Sequence, residues 1–80
     1  MIKSVLQIRM ARAALGWSLR DTAQNSCLGL STVRRAETDE GFNSLTEANR
    51  KAITSAFTEA GIVFTGDADA PGVQLNLSAT

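Results

Sequence analysis

Four polar side chains recur at helical spacing within one short segment of the chain. Counted from the first as i, they stand at i, i+3, i+4 and i+7, and they are Ser31, Arg34, Arg35 and Thr38. A helix would place all four on one face and would turn the apolar Val33 and Ala36 toward the core. Guanidinium groups and hydroxyls suit guanine edges and phosphates, so DNA contact is one interpretation of this face. The other interpretation is an ordinary solvent-exposed helix face, and the pattern alone does not distinguish the two.

The chain has few other side chains that could take part in catalysis or bind a metal. The chain has one cysteine, Cys27, and no histidine, so it can form neither an internal disulfide nor a Cys–His pair. We expect Cys27 to be a small turn residue packed against the core. Asp67 and Asp69 lack the ligand spacing of a calcium site, and we expect them to be solvated. The sequence therefore predicts no catalytic residue, no metal site and no cofactor, and a chain that is not an enzyme.

Length and composition predict one small domain. Eighty residues, 44% hydrophobic and 20% charged, are typical of a single soluble globular domain. The sequence shows no signal peptide and no apolar run long enough to cross a bilayer, so we expect a cytoplasmic protein without a membrane partner. The formal net charge is zero. Because DNA-binding modules are often strongly basic, DNA binding here would depend on a local basic patch.

Capping residues predict the first two helices. A first helix spans Ser4 to Leu15, and Gly16 follows at the place where a left-handed residue ends a helix. Ser18 opens a second helix of about residues 19–25, and Asp21 stands three residues later, as in a capping box. Trp17, between the two helices, is expected to cover the core.

A tight turn at residues 26–29 leads to a third helix of about residues 30–38, which we expect Gly41 to break. Two short helices joined by such a turn form a helix-turn-helix unit. A fourth helix is capped by Ser44 or Thr46, with Glu47 placed to close a capping box on Ser44.

The tail changes from helical to strand periodicity. Residues 62–64 form one predicted strand, residues 66–72 form a polar loop, and residues 73–77 alternate as a half-buried second strand. The resulting β-hairpin would have open edges, which tend to pair with another strand. Residues 62–77 are therefore the candidate contact of a homodimer, and packing of the hairpin on its own domain is the alternative.

The sequence resembles the Cro/repressor-like helix-turn-helix (XRE) family, in particular its short versions in alpha-proteobacteria. The resemblance covers nearly the whole chain and rests on QIRMARAALGWS, LSTVRRAE, EAGIVF and PGVQL. It implies a mostly α fold, a four- to five-helix helix-turn-helix domain with a C-terminal β-hairpin. Residues 1–61 would form that domain, with its motif at residues 18–37. Residues 62–80 would be the hairpin or dimerisation tail of the same domain.

The resemblance also assigns roles to individual residues. Arg12 and Glu37 match an arginine and a glutamate that form a structural ion pair in the family. Positions that match Leu30, Ser31, Arg34 and Arg35 contact bases and phosphates. The complete predicted set that binds DNA or a protein partner is Ser18, Leu19, Leu30, Ser31, Thr32, Arg34, Arg35 and Thr38.

The chain departs from the family pattern at four positions. Leu19 replaces a glutamine that touches a phosphate, and Thr22 replaces a buried leucine. Cys27 replaces a turn glycine, which would cost about 1 kcal/mol if its φ is positive, and Gly29 replaces a polar cap. Leu19 and Leu30 would together place apolar surface on the face meant for DNA, which suits a protein partner better than a duplex.

Two functions follow from the resemblance and its departures. The first is a transcriptional regulator, a repressor, that binds operator DNA as a dimer by inserting helix 30–38 into the major groove. The second is an antiactivator or antitoxin-like protein that keeps the fold but binds and inhibits another protein. Similar small rhizobial proteins hold down transcription activators of the LuxR type in quorum sensing, so such an activator is the implied partner.

Overall fold

The computed structural model describes residues 2–77, which form five helices followed by a two-stranded antiparallel hairpin. The elements are α1 (Val5–Leu15), α2 (Leu19–Ser26), α3 (Leu30–Ala36), α4 (Asp39–Asn43), α5 (Glu47–Glu59), β1 (Ile62–Thr65) and β2 (Gly72–Leu75). The predicted mostly helical chain with a C-terminal hairpin is confirmed. Of the predicted segments 1–61 and 62–80, residue 1 and residues 78–80 lie outside the described residues.

Local capping fixes the C-terminal end of α1 and the start of α2, as predicted. The predicted first residue, Ser4, is instead the N-cap of α1. Gly16 closes α1 in the left-handed conformation, with φ 69°. The Ser18 hydroxyl accepts a hydrogen bond from the Asp21 N–H at 3.0 Å, and the Asp21 carboxylate accepts one from the Ser18 N–H at 2.9 Å. This reciprocal pair is a capping box. The helix α2 extends one residue beyond the prediction, through Ser26.

The third helix is shorter than predicted. It ends at Ala36, because Thr38 is already the N-cap of α4 and its hydroxyl accepts a hydrogen bond from the Gly41 N–H at 3.0 Å. A threonine hydroxyl commonly competes with helix continuation in this way. The prediction that Gly41 breaks the third helix is wrong, since Gly41 lies buried inside α4. Thr38 therefore does not belong to α3.

The predicted fourth helix is α5, and its first turn shows which of the two predicted residues is its N-cap. Thr46 is the N-cap, and its hydroxyl accepts a hydrogen bond from the Asn49 N–H at 3.1 Å. Ser44 instead closes α4, with its N–H bonded to the carbonyl oxygens at the end of that helix. The predicted capping box between Ser44 and Glu47 does not form, because Glu47 is the first residue of α5 rather than the third.

One apolar core joins the helices to the hairpin. Its buried members are Ile2, Val5, Ile8, Ala11, Ala36, Phe42, Ile53, Phe57 and Ile62. Trp17 stacks on Phe57 with the ring centroids 5.5 Å apart, and Phe64 of β1 meets the same ring edge-on at 6.2 Å. Such aromatic pairs are worth about 0.5–1.5 kcal/mol each beyond the area they bury. Trp17 thus covers the core, as predicted.

The hairpin places Ile62 opposite Leu75 and Phe64 opposite Val73. The predicted second strand is correct in its side-chain alternation but too long, because β2 ends at Leu75 and Leu77 is 80% exposed. In this register the residue opposite Leu77 would be Ala60, which is the C-cap of α5 and cannot continue a strand.

A buried glutamine fastens the hairpin to α1. Gln7 is 1% exposed, and its side-chain amide donates hydrogen bonds to the carbonyl oxygens of Thr65 and Gly72, both at 3.0 Å. Its own carbonyl oxygen accepts the N–H of Lys3 at 2.6 Å. The amide group is therefore satisfied on both sides, as a buried polar group must be. Sequence reasoning missed this contact.

Candidate binding surface of α2 and α3

The predicted orientation of α3 is confirmed. Val33 and Ala36 are 0% exposed, whereas Ser31, Arg34 and Arg35 are exposed. Within residues 2–77, neither of these two arginine side chains has a hydrogen-bond or ion-pair partner. We call the exposed side chains of Ser31, Arg34 and Arg35 the α3 surface. The α3 surface therefore exposes two unpaired guanidinium groups, while the opposite face of the helix packs in the core.

The predicted ion pair of Arg12 and Glu37 is present and bidentate. Arg12 Nε lies 2.5 Å from Glu37 Oε2, and Arg12 Nη2 donates to Oε1 at 2.9 Å. Arg12 Nη1 also donates to the carbonyl oxygen of Trp17 at 3.2 Å. The hydrogen bond that Arg12 donates to the Glu37 carboxylate raises the pKa of Arg12 above its ordinary value, against the opposing effect of partial burial. Because Glu37 directly follows α3, the pair fastens the end of that helix to α1.

A second arginine on α1 binds the same glutamate. Arg9 Nη2 donates to the backbone carbonyl oxygen of Glu37 at 2.7 Å, and Arg9 Nε lies 3.8 Å from Glu37 Oε1. Sequence analysis assigned no role to Arg9. The available signal was its spacing, since Arg9 and Arg12 are three residues apart and share one side of α1.

The start of α2 differs from a free helix terminus. Ser18 is exposed and Leu19 is half-buried, and the capping box already uses the N–H groups of Ser18 and Asp21. The Asp21 carboxylate adds a negative charge at this end. Thr22 is fully buried, and its hydroxyl donates to the Ser18 carbonyl oxygen at 3.1 Å.

The turn between α2 and α3 contains a non-glycine residue with positive φ, the condition under which the sequence predicted strain at Cys27. Cys27 closes α2 with φ 59° and ψ 33°, a left-handed conformation that is rare for residues other than glycine. The expectation that Cys27 packs against the core is wrong, because its side chain is exposed. Leu28 packs there instead. Gly29 then caps α3 without any side-chain hydrogen bond, which fits its lack of a side chain.

Two neighbouring depressions, of about 330 and 230 Å³, lie beside the α3 surface. Arg35, Gly41 and Ser44 line both of them. The half-buried Thr32 lines the smaller one and Thr38 the larger one, so these two predicted site residues lie beside Arg35. The remaining predicted residue, Leu30, is half-buried at the start of α3.

Comparisons with protein-family models, with curated proteins and with solved structures found no match to this chain. In the part of the chain that the structure describes, no helix has the length and apolar character needed to span a membrane. The same residues contain no group of three or more histidine, cysteine or acidic side chains that could hold a metal ion.

Proposed function

We propose that the chain is a small helix-turn-helix transcriptional regulator of the Cro/repressor-like type, which represses by binding operator DNA. The observation that carries the proposal is the α3 surface, where Arg34 and Arg35 face solvent without partners while Val33 and Ala36 are fully buried. The packing of α2 on α3 across residues 27–29 supports it. Two short helices in this relation are the unit that places its second helix in the major groove.

On this proposal α3 lies in the major groove. Arg34 and Arg35 donate to guanine edges or to phosphates, and the Ser31 hydroxyl adds a weaker polar contact. The ion pair of Arg12 with Glu37 keeps the helix direction fixed during binding. Two copies would contact half-sites about one helical turn apart, and residues 62–77 are the proposed contact between the copies.

The test is a fluorescence anisotropy titration against DNA from the promoter region of the chain's own gene. We expect affinity to fall steeply with salt, and a double Arg34→Ala/Arg35→Ala change to weaken binding by at least about tenfold, since each base-contacting arginine is worth about 1–3 kcal/mol. The control is Lys3→Ala/Lys51→Ala, which removes the same charge from exposed positions off α3. Equal losses in the two double variants would contradict the assignment of the binding surface to α3.

A second candidate, a protein-binding module, is favoured by the chemistry at the start of α2. The Asp21 carboxylate lies where the resembled family approaches a phosphate, and the neighbouring Leu19 offers no polar group there. Because its net charge is zero, the chain also lacks the overall electrostatic attraction to DNA that a basic module has. Under this proposal the protein is an antiactivator or antitoxin-like protein, and its partner is a transcription activator of the LuxR type.

A Leu19→Gln change separates the two candidates. A glutamine there adds a donor for a phosphate, so it strengthens DNA binding if DNA is the partner. It removes apolar contact area, so it weakens capture of an activator if a protein is the partner. Absence of DNA binding by the unaltered chain at low salt, together with formation of a stable complex with the activator in size-exclusion chromatography, would reject the first candidate.

A further inference from the structure

The corner between α3 and α4 is built around the backbone carbonyl of Arg35. Its oxygen accepts a hydrogen bond from the Thr38 hydroxyl at 2.8 Å and another from the Thr38 N–H at 3.0 Å. The same hydroxyl accepts the N–H of Gly41 at 3.0 Å. One threonine therefore links the last turn of α3 to the first turn of α4.

Gly41 packs against Arg35 so closely that no side chain fits between them. A Cβ at Gly41 would overlap the Arg35 carbonyl oxygen, and it would lie 2.7 Å from the carbonyl carbon and 2.5 Å from Cγ. These three nearest atoms all belong to Arg35, and two of them are backbone atoms that move only if the end of α3 moves. Since φ of Gly41 is not positive, the glycine is required here for space rather than for its conformation.

We propose that Gly41 and Thr38 are positioning residues that set the direction in which the Arg35 side chain leaves α3. The first carbons of that side chain lie against Gly41, which limits the rotamers open to them, while the charged end stays exposed. The consequence for binding rests on the proposed function, because Arg35 belongs to the α3 surface.

The first experiment needs no DNA. NMR spectra of the Arg34 and Arg35 Nε–Hε groups are compared between the unaltered chain, Gly41→Ala and the control Gly29→Ala. A Cβ at Gly29 meets no atom within 4 Å, so this control adds the same methyl group without a clash. We expect Gly41→Ala to shift the Arg35 signal and to leave Arg34 and the control unchanged. An unchanged Arg35 signal in a folded Gly41→Ala variant would overturn the proposal.

The second experiment measures coupling in DNA binding. If Gly41 acts through Arg35, Gly41→Ala weakens binding by about the same factor as Arg35→Ala, and the double change is no weaker than Arg35→Ala alone. Effects that multiply in the double variant would show that Gly41 acts independently of Arg35 and would overturn the proposal. If the unaltered chain does not bind DNA, the proposed function fails, and the NMR comparison still decides whether Gly41 positions Arg35.

A second pair of variants covers the case in which Gly41→Ala does not fold. Thr38→Val removes the hydroxyl that joins Arg35 to Gly41, whereas Thr38→Ser retains it. We expect Thr38→Val to shift the Arg35 Nε–Hε signal and Thr38→Ser to restore it. The same signal in both variants would be evidence against the positioning role.

Discussion

At the scale of single residues, the α3 surface depends on Glu37, which two arginines of α1 bind. Its side chain is 11% exposed, and its bidentate bond to Arg12 is of the charge-assisted kind that is about twice as strong as a neutral hydrogen bond. The Arg9 side chain is 54% exposed, so its ion pair with Glu37 is screened and contributes little. Arg12 is therefore the main partner of the Glu37 carboxylate, and Arg9 adds its hydrogen bond to the Glu37 backbone carbonyl.

Glu37→Gln is expected to lower the free energy of unfolding by about 1.5–3 kcal/mol, because it leaves the partly buried Arg12 guanidinium without a charged acceptor. Urea denaturation measures the change. Glu40→Gln removes the same charge from an exposed position of α4, and we expect a change within about 0.5 kcal/mol. A loss of similar size in both variants would show that the ion pair is not the cause.

Cys27 is the other residue with a distinct energetic role. Because its φ is 59°, Cys27→Gly should relieve strain and raise the free energy of unfolding by about 0.5–1 kcal/mol. Cys27→Ala retains a Cβ and should leave stability nearly unchanged. Both variants are compared by thermal unfolding under reducing conditions. Equal stabilisation by alanine and glycine would point to the thiol rather than to the backbone.

At the scale of secondary structure, the hairpin depends on a contact from outside itself. An isolated two-stranded hairpin is marginally stable in water. Here its inner face packs on the core through Ile62, Phe64 and Val73, and Gln7 of α1 binds the two carbonyl oxygens beside the loop. The hairpin is thus an integral part of the helical domain.

Gln7→Leu keeps a similar volume but leaves the carbonyl oxygens of Thr65 and Gly72 without the side-chain donor. We expect a loss of about 1–3 kcal/mol in the free energy of unfolding and faster amide hydrogen exchange in β1 and β2. The matched control is Gln24→Leu, at an exposed glutamine of α2. Exchange that accelerates equally in all elements would mean that Gln7 supports the whole core rather than the hairpin.

At the scale of the whole molecule, the domain is small, with a radius of gyration of 11.4 Å and extents of 32 × 29 × 19 Å. A domain of this size buries only about 60% of the surface of its unfolded chain, so a second subunit would add useful burial. Val63 on the outer face of the hairpin is 47% exposed. This face belongs to the segment proposed above as the contact of a homodimer.

Val63→Asp tests that contact, because it places a charge in an apolar interface. We expect sedimentation velocity to show concentration-dependent dimers of the unaltered chain and monomers of the variant. Leu6→Asp is the control, since Leu6 on α1 is 49% exposed and lies outside residues 62–77. Dimers that persist in Val63→Asp but disappear in Leu6→Asp would move the interface from the hairpin to α1.

Features whose causes lie within one turn of chain could be predicted from the residues alone. The cap at Ser18, the left-handed Gly16 and the inward face of Val33 and Ala36 depend on neighbours at most four residues away. The strain at Cys27 was expected only from the resemblance, and its positive φ comes from the structure. The Arg12–Glu37 pair is long-range, and it was predicted only through the resemblance to a known family.

The contacts between elements could not be predicted in this way, because they join residues that are far apart along the chain. Gln7 binds residues 58 and 65 positions away, and Arg9 binds Glu37 across 28 positions, so no local pattern marks either contact. Gly41 was predicted as a helix breaker from its intrinsic propensity. It lies instead inside α4, where the close approach of Arg35 leaves no space for a Cβ. At this position tertiary packing overrides the local helix propensity of glycine.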